Sequence, residues 1–520
     1  MKHGLMLTVF FVSAALALVL RVDQLGLRPM HNDEAVNALK FQRLYSEGVF
    51  EYDPLEYHGP TLFYFTSWIE RAARAPAFPG FSEARLRGIT VFFGVAMVPL
   101  VWLLRRGLGR QGTGWAMVFL AVSPAFTFYS RYFIHEILLA CFTLLTLGAA
   151  WRYWRSRKAG WAILAGIGLG LMQATKETFV LSVGAALGAL LINHVWNRKL
   201  DASGLPLRAP RLAWSHVGLG IGAWLIVVVL FFTSFFTNSR GLSDIIRAYL
   251  PYTHRAGGQT MHVQPWYFYF QRLLFFHSPK GPIWSEGIIL LLGLTAGVSA
   301  FLRKGLSGIS PSLVRFLVLY TCGLAAAYSV ISYKTPWCLL QFWLGMILLA
   351  GVGAALVTQS ARYQWARVTS AILVGSAALQ LAGQAWQAGH AFAADQRNPY
   401  VYSPTSRDLL KLVDKITALS QVSTERRELL IKVIATEGDY WPLPWYFRQF
   451  NRIGYFDTLP SDPYASVMIV SAGLHAALEE KRTHVMIGYF ELRPGVFLEL
   501  YAEIQLWRAY LSRQPEPDDR

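Results

Sequence analysis

Met30-His31-Asn32-Asp33-Glu34-Ala35, with Glu51-Tyr52-Asp53-Pro54-Leu55-Glu56-Tyr57-His58-Gly59-Pro60 shortly after it, is the most acidic part of an otherwise apolar, basic chain. It follows directly on the first apolar segment. Asn32 is suited to cap a helix whose first turn carries Asp33 and Glu34, where the helix dipole favours negative charge. Ala35, Ala38, Phe41 and Tyr45 give that helix an apolar stripe, and Gly48 is suited to end it. A short amphipathic helix of this kind is expected to lie along a membrane surface and hold two carboxylates at the interface. The remaining sequence reads as a scaffold for that position.

The scaffold is a polytopic α-helical membrane protein. With 54% hydrophobic residues, 18 Trp and 33 Phe in 520 residues, the chain carries more bilayer-length apolar runs than a soluble domain would. Leu5–Leu20 is read as a retained first span rather than a cleaved signal, because Leu-Val-Leu-Arg follows where a polar mature start would be expected. Further apolar segments centre near residues 96, 120, 143, 167, 185, 226, 293, 322, 347 and 377, for about eleven spans. Cys141, Cys322 and Cys338 all fall in apolar segments without metal-ligand spacing and read as small core residues.

The net charge of +17 is confined to the membrane part: residues 1–391 hold 33 Lys/Arg against 14 Asp/Glu, and residues 392–520 hold 15 against 17. Basic loops that set orientation explain this distribution, and no nucleic-acid partner is expected. The loops near 105–112, 151–159, 194–216, 303–315 and 359–368 hold 16 Lys/Arg and one acid, Asp201, whereas the first loop, 21–87, holds 8 basic and 9 acidic residues. The positive-inside rule puts the basic loops and the N-terminus in the cytoplasm of a plasma or inner membrane. The acidic first loop, the turns at 129–136 and 175–177, the loop 237–286 and Ser332–Trp337 are then external.

From residue 392 the character changes. Arg407–Leu419 reads as an amphipathic helix, Leu429–Ala435, Ser466–Ser471 and Val485–Tyr489 as short strands, and Val496–Tyr501 as a weaker one. Residues 392–520 are therefore expected to form a small soluble extracytoplasmic α/β domain behind a transmembrane domain of residues 1–391.

Four polar constellations interrupt the apolar pattern. Asp33 and Glu34 are either a solvated helix start or a general base for an acceptor hydroxyl. In Tyr129-Ser130-Arg131-Tyr132-Phe133-Ile134-His135-Glu136, helical spacing puts Arg131 and His135 on one face and Tyr132 and Glu136 on the next. That stretch is either an interfacial ion pair or part of a site. Thr175-Lys176-Glu177 is a polar turn, or a charged pair facing an aqueous cavity. Tyr333-Lys334-Thr335-Pro336-Trp337 marks a span boundary or binds a lipid phosphate. A further loop with Arg255, His262, Pro265-Trp266-Tyr267-Phe268-Tyr269 and His277 joins cations to an aromatic belt. No phosphate-binding loop, dinucleotide fingerprint, HExxH or Cys-rich metal pattern is present.

Together these pieces resemble the multispanning, lipid-dependent glycosyltransferases of the GT-C type, which include protein O-mannosyltransferases and aminoarabinose transferases. Within that group the chain looks most like the branch named for association with archaeal flippase activity. The resemblance is carried by His31 to Ala35, Tyr52-Asp53-Pro54, Tyr57-His58-Gly59-Pro60, Arg131 to Glu136, Thr175-Lys176-Glu177, Tyr333 to Trp337, and Glu437-Gly438-Asp439-Tyr440-Trp441-Pro442-Leu443-Pro444-Trp445-Tyr446. It implies a catalytic carboxylate in the first external loop, which Asp33 followed by Glu34 matches. It also implies an Arg followed at a distance by an acid in the next external turn, matched by Arg131 and Glu136 with Glu where Asp is common. Aminoarabinose transferases place Lys-Pro-Pro later in the first loop, whereas this chain has His58-Gly59-Pro60.

The function so implied is transfer of a sugar from a polyprenyl-phosphate-linked donor to an acceptor hydroxyl on the outer face of the membrane, with inversion. Asp33 is the expected base, assisted by Glu34 or Glu136. Arg131, Lys176 or Lys334 is expected to hold the departing phosphate, His58 to touch sugar or acceptor, and Tyr57 and His262 to complete the substrate-binding set. The acceptor is a protein, lipid or glycan, with membrane lipids the other expected partners. No cofactor is required, although Asp33, Glu34, Glu136 and His58 are able to ligate a divalent ion. Two other readings stand beside this one: a lipid-linked sugar flippase or transporter, and a non-catalytic partner of a glycosylation complex. Transporters need polar groups near the bilayer midplane, whereas the acids bordering later spans (Glu136, Glu177 and Glu286) all fall at predicted outer edges.

Overall fold

The computed structural model describes residues 3–48, 50–55, 58–200, 213–250, 262–360, 362–476 and 478–513. Tyr57 and Arg255 lie outside the described residues. The chain opens with α1 (His3–Val22), α2 (Asn32–Glu47), α3 (Thr61–Ala72), α4 (Glu83–Leu100), α5 (Arg105–Val122), α6 (Pro124–Tyr129) and α7 (Glu136–Ser156). It continues through α8 (Ala159–Gln173), α9 (Phe179–Leu200), α10 (Trp214–Phe232) and α11 (Gly241–Arg247). After α12 (Phe268–Leu274) and a two-stranded turn of β1 (Phe276–His277) and β2 (Ile283–Trp284) come α13 (Gly287–Leu302), α14 (Pro311–Val330), α15 (Leu340–Ser360) and α16 (Gln364–Gly389).

Among the described residues, eight stretches are long and apolar enough to cross a membrane; one of them, Glu83–Val122, contains both α4 and α5, and α8 and α13 are shorter apolar helices. Every apolar segment expected from the sequence falls in one of these helices. Their ends follow ordinary stop and start chemistry. The Ser82 and Ser310 side chains accept from the N–H groups of Arg85 and Leu313 at the starts of α4 and α14. Between α4 and α5 the chain passes Pro99, a 3-10 turn at Val101–Leu104 and Gly109 at φ 74°, a left-handed conformation that suits glycine.

The helices pack α10 on α8, α5 and α13 on α15, α8 on α7, and α14 on α9. Small residues allow the closest approaches: a Cβ on Gly353 of α15 would lie 1.8 Å from the Leu292 carbonyl oxygen of α13. The basic loops meet at one end of the bundle. Ser310 N–H donates to the Gly107 carbonyl, and the Asn193 amide donates to Ser312. The turns at 130–136 and 174–176 meet at the other end.

Beyond α16 the chain forms α17 (Asp408–Val422) and a five-stranded sheet in the order β4-β3-β5-β7-β6, built from β3 (Ile431–Ile434), β4 (Ile453–Phe456), β5 (Val467–Ser471), β6 (His484–Arg493) and β7 (Val496–Glu503). β3 runs parallel to β4 and β5, while β5, β7 and β6 pair antiparallel. Leu409, Leu412, Ile416 and Leu419 of α17 are buried in the same core as Ile431, Val433, Leu498 and Leu500 of the sheet. Sequence reading missed β4, whose Ile-Gly-Tyr-Phe is short and only half-buried at an edge.

This small sheet domain docks on the bundle through the motif around α18 (Leu443–Tyr446). Trp445 Nε1 donates to Glu83 at 2.8 Å, the Met30 N–H donates to the Tyr446 hydroxyl at 2.9 Å, and the Arg448 guanidinium lies 3.8 Å from the Trp445 ring centre. A last helix, α19 (Ile504–Leu511), closes the domain.

Gly353→Ala is expected to force α13 and α15 apart at a cost of about 1–3 kcal/mol and to lower the melting temperature in detergent. Gly375→Ala on α16, where no atom lies within 4 Å of an added Cβ, should leave it unchanged or raise it slightly.

Candidate active site

α2 forms where the sequence places it, with its cap one residue earlier. His31, not Asn32, is the N-cap: its Nδ1 accepts from the Asp33 N–H at 3.1 Å, while the Glu34 carboxylate accepts from the His31 N–H at 2.9 Å. His31 Nε2 meets the Tyr402 carbonyl at 3.1 Å and must carry the proton there, so the ring is the neutral Nε2–H tautomer. Burial lowers its pKa, which keeps it in that form. Gly48 ends the helix at φ 72°.

Glu34 is fully buried. Arg87 reaches both of its oxygens at 2.8 and 3.0 Å, Arg28 approaches at 2.7 Å, and the Phe133 N–H donates at 2.9 Å. Burial alone would raise its pKa, but the Arg28 and Arg87 guanidiniums outweigh that and hold the carboxyl well below the usual carboxylate range. Arg28 also lies 3.5 Å over the Tyr132 ring. The residue just before the cap is gripped by the sheet domain: Met30 donates to the Tyr446 hydroxyl and accepts from the Thr405 hydroxyl at 2.7 Å.

The stretch 130–135 is an irregular turn between α6 and α7 rather than a helical face. Arg131 therefore points away from His135. Its guanidinium donates to the carbonyls of Arg21, Asp23 and Gln24 at the end of α1 and to Gly389 at the end of α16. His135 meets the Gly59 carbonyl at 3.0 Å, and burial, His58 and Lys176 hold it well below the usual histidine pKa. Gly59 is needed here because a Cβ would lie 2.3 Å from the Ala174 carbonyl oxygen, where the Gly59 and Thr61 N–H groups pair with the carbonyls of Thr175 and Ala174.

These elements enclose a cavity of about 500 Å³. The first turns of α2 contribute Asp33, Val36 and Asn37, and His58, His135, Glu136, Lys176 and Glu177 line one wall. Tyr249, Tyr328, Tyr333, Thr335 and Trp337 line the rest. Lys176 pairs with Glu136, and Glu177 accepts from the Tyr52 hydroxyl at 3.1 Å and meets His58 Nδ1 at 2.9 Å. Asp33 is the one carboxylate of the three acids in the cavity with no hydrogen bond or ion pair to its oxygens among the described residues.

Of the expected site residues, Asp33, His58, Glu136 and Lys176 converge on this cavity, while Glu34, Arg131, Lys334 and His262 do not line it. The Glu34 oxygens are taken up by the guanidiniums of Arg28 and Arg87 and the N–H groups of His31 and Phe133. Arg131 and Lys334 are committed to backbone carbonyls, Lys334 to those of Gln264 and Ile331. His262 bonds the Tyr402 hydroxyl at 2.6 Å, and its ring lies tilted against Tyr333, which itself lines the cavity. Asn37, Tyr249 and Tyr328 were not singled out, and Glu177 was read only as the partner of Lys176 in a charged turn, a turn that does face the cavity. Among the described residues no group of three or more His, Cys, Asp or Glu side chains converges as a preformed metal site would.

Glu34→Gln is expected to destabilise the folded protein by about 3–5 kcal/mol, because it leaves Arg28 and Arg87 buried against a neutral amide. A carboxyl whose folded pKa lies below its unfolded value stabilises the fold at neutral pH and loses that contribution as pH falls below about 4. The melting temperature of the unmodified protein should therefore drop on the acid side, with a shallower drop in Glu34→Gln.

Residues 11–242 match the family model described as dolichyl-phosphate-mannose-protein mannosyltransferase. No curated protein matches the chain. Among solved structures, ArnT from Cupriavidus metallidurans bound to undecaprenyl phosphate superposes with a TM-score of 0.63 at 13% identity, over 95% of this chain and 98% of that one. The oligosaccharyltransferase AglB from Archaeoglobus fulgidus, in complex with an inhibitory peptide and a dolichol-phosphate, gives 0.54 at 14% identity, over 90% and 70%. The arabinofuranosyltransferase AftD from Mycobacteria gives 0.52 at 14% identity, over 97% and 40%. The chain thus shares the fold of these membrane glycosyltransferases along nearly its whole length, and its first 242 residues include the stretch that matches the mannosyltransferase family model.

Proposed function

We propose that the chain transfers a sugar from a polyprenyl-phosphate-linked donor to an acceptor hydroxyl, with Asp33 as the general base. The observation that carries this reading is the unpartnered Asp33 carboxylate on a cavity of about 500 Å³ whose other acids are already paired. ArnT and AglB, which share the fold, hold undecaprenyl phosphate and dolichol-phosphate respectively.

In the proposed step the acceptor oxygen attacks the anomeric carbon, its proton passes to Asp33, and the bond to the phosphate oxygen breaks with the electron pair leaving on the phosphate. A base on the face opposite the leaving group inverts the anomeric centre. The phosphate needs a cation more than a proton, and Lys176 is the cavity cation suited to it. Glu136 then acts by holding Lys176 rather than as a second base, and Glu177 orients His58 toward sugar or acceptor. Arg272 is a further cation nearby that does not line the cavity. Its guanidinium lies 3.7 Å from the Phe268 ring centre, and its charge acts on Tyr129 and Tyr402, the rings that also contact Trp337. The reaction is assigned to the outer face of the membrane, because the basic loops gather at the opposite end of the bundle.

Asp33→Asn should lower turnover of a labelled polyprenyl phosphate sugar by about 10²–10⁴-fold in the reconstituted protein while leaving its melting temperature unchanged. Equal turnover by the folded variant would remove Asp33 from the chemistry. Lys176→Gln should raise the donor KM by about tenfold or more with a smaller effect on acceptor KM. Tyr446→Phe, which removes no group from the cavity, should lower kcat several-fold with little change in donor KM, because it releases the backbone that positions Asp33.

A further inference from the structure

A second cavity lies in the bundle, away from Asp33. It is an apolar groove of about 650 Å³ between α1, α4 and α7, lined by Leu7, Phe10, Phe93, Pro99, Leu103 and Leu145 among others. The first turn of α4 carries Arg87 beside Glu34, and α7 begins at Glu136 in the catalytic cavity. The far ends of both helices, and the N-terminal half of α1, therefore lie toward the opposite end of the bundle; Leu7, Pro99, Trp102 and Leu103 put one end of the groove there, and Phe93 and Leu145 continue it toward the middle of the bundle.

Its rim is cationic. The Trp102 ring lines the groove, takes the edge of Phe10 at 5.8 Å, and has the Arg105 guanidinium 4.7 Å from its centre. Arg152 donates to the Leu103 carbonyl at 2.7 Å and the Trp102 carbonyl at 3.2 Å, which fixes its head at the same rim. The charges of Arg105 and Arg106 both act on it. The elements that build this rim carry no acid: α1 contains none, and none occurs between Glu83 and Glu136 or between Glu136 and Glu177. Arg105, Arg106 and Arg152 have no acid partner among the described residues. Arginines that merely set orientation need only reach water. Here they repel one another around an apolar slot, and such a slot in a bilayer fills with hydrocarbon rather than water.

We propose that this groove binds an anionic phospholipid, with acyl chain along Phe10, Phe93 and Leu145 and phosphate on Arg105, Arg106 and Arg152. A negative headgroup relieves the repulsion among the three guanidiniums, as basic pockets between membrane helices do with acidic lipids. The site is separate from the catalytic cavity and takes a structural lipid, not the sugar donor.

The test counts lipids retained by the full-length protein in native mass spectrometry after transfer from vesicles of phosphatidylcholine and phosphatidylglycerol. The unmodified protein should retain phosphatidylglycerol in preference to phosphatidylcholine. Arg106→Gln removes an exposed charge with no packing role and should cut that preference about fivefold. Ala96→Phe leaves every charge in place, fills the groove and should reduce retention of phosphatidylglycerol as well. Equal retention of the two lipids, or equal preference in the unmodified protein and both variants, would overturn the proposal. Displacement of phosphatidylglycerol by undecaprenyl phosphate at equal concentration would overturn it too, by assigning the groove to the isoprenoid lipid.

Discussion

Glu34 sits in a fully buried position between the guanidiniums of Arg28 and Arg87, and much of the acidic end of the protein depends on that arrangement. A buried carboxylate persists only when every lone pair has a donor, and here the donors come from four separate places: the loop before α2, the cap of α2 itself, the first turn of α4, and the 130–136 turn. Arg87 extends the same network to the carbonyls of Leu25, Arg28 and Pro29. One anion thereby sets how the first loop, α4 and the 130–136 turn lie together. Its neighbour Asp33 is left facing the cavity because a helix turns about 100° per residue, so adjacent side chains cannot share a face.

The sheet domain adds a second constraint on the same point. Tyr446, Thr405 and the Tyr402 carbonyl grip Met30 and His31, so residues 371 to 416 positions apart in sequence fix the backbone that presents Asp33. His31 transmits this directly, with one nitrogen on the Tyr402 carbonyl and the other on the Asp33 N–H. A domain that reads from sequence as a separate soluble unit is therefore part of the support for the site. The close approach at Gly59 plays the matching role on the other wall, holding His58 and His135 against the Lys176–Glu177 turn.

The apolar periodicity made the helical bundle legible, and the charge of the loops indicated which ends gather together, because a bilayer-length helix must be apolar along its length and its ends alternate between two sides. The stop of α2, its start to within one residue, the helix Asp408–Val422 and four of the five strands of the C-terminal sheet were also readable from local pattern. The roles of individual charges were not. Arg131 and Lys334 had the residue type and position expected of phosphate ligands, yet each is spent on carbonyls whose partners come from distant helices. Cation and carbonyl meet only after packing, and local sequence carries no record of that meeting.

By itself, then, the sequence determined that this is a membrane-embedded helical protein with an acidic loop at one end, a basic face at the other and a small sheet domain behind it. Those properties follow from hydropathy and propensity, which act over a few residues at a time. The tertiary structure decided which of two adjacent acids is free, which cations face the cavity, and which merely tie helix ends together. That division depends on burial and on hydrogen-bond partners supplied from far along the chain, and only the packed fold brings them within reach.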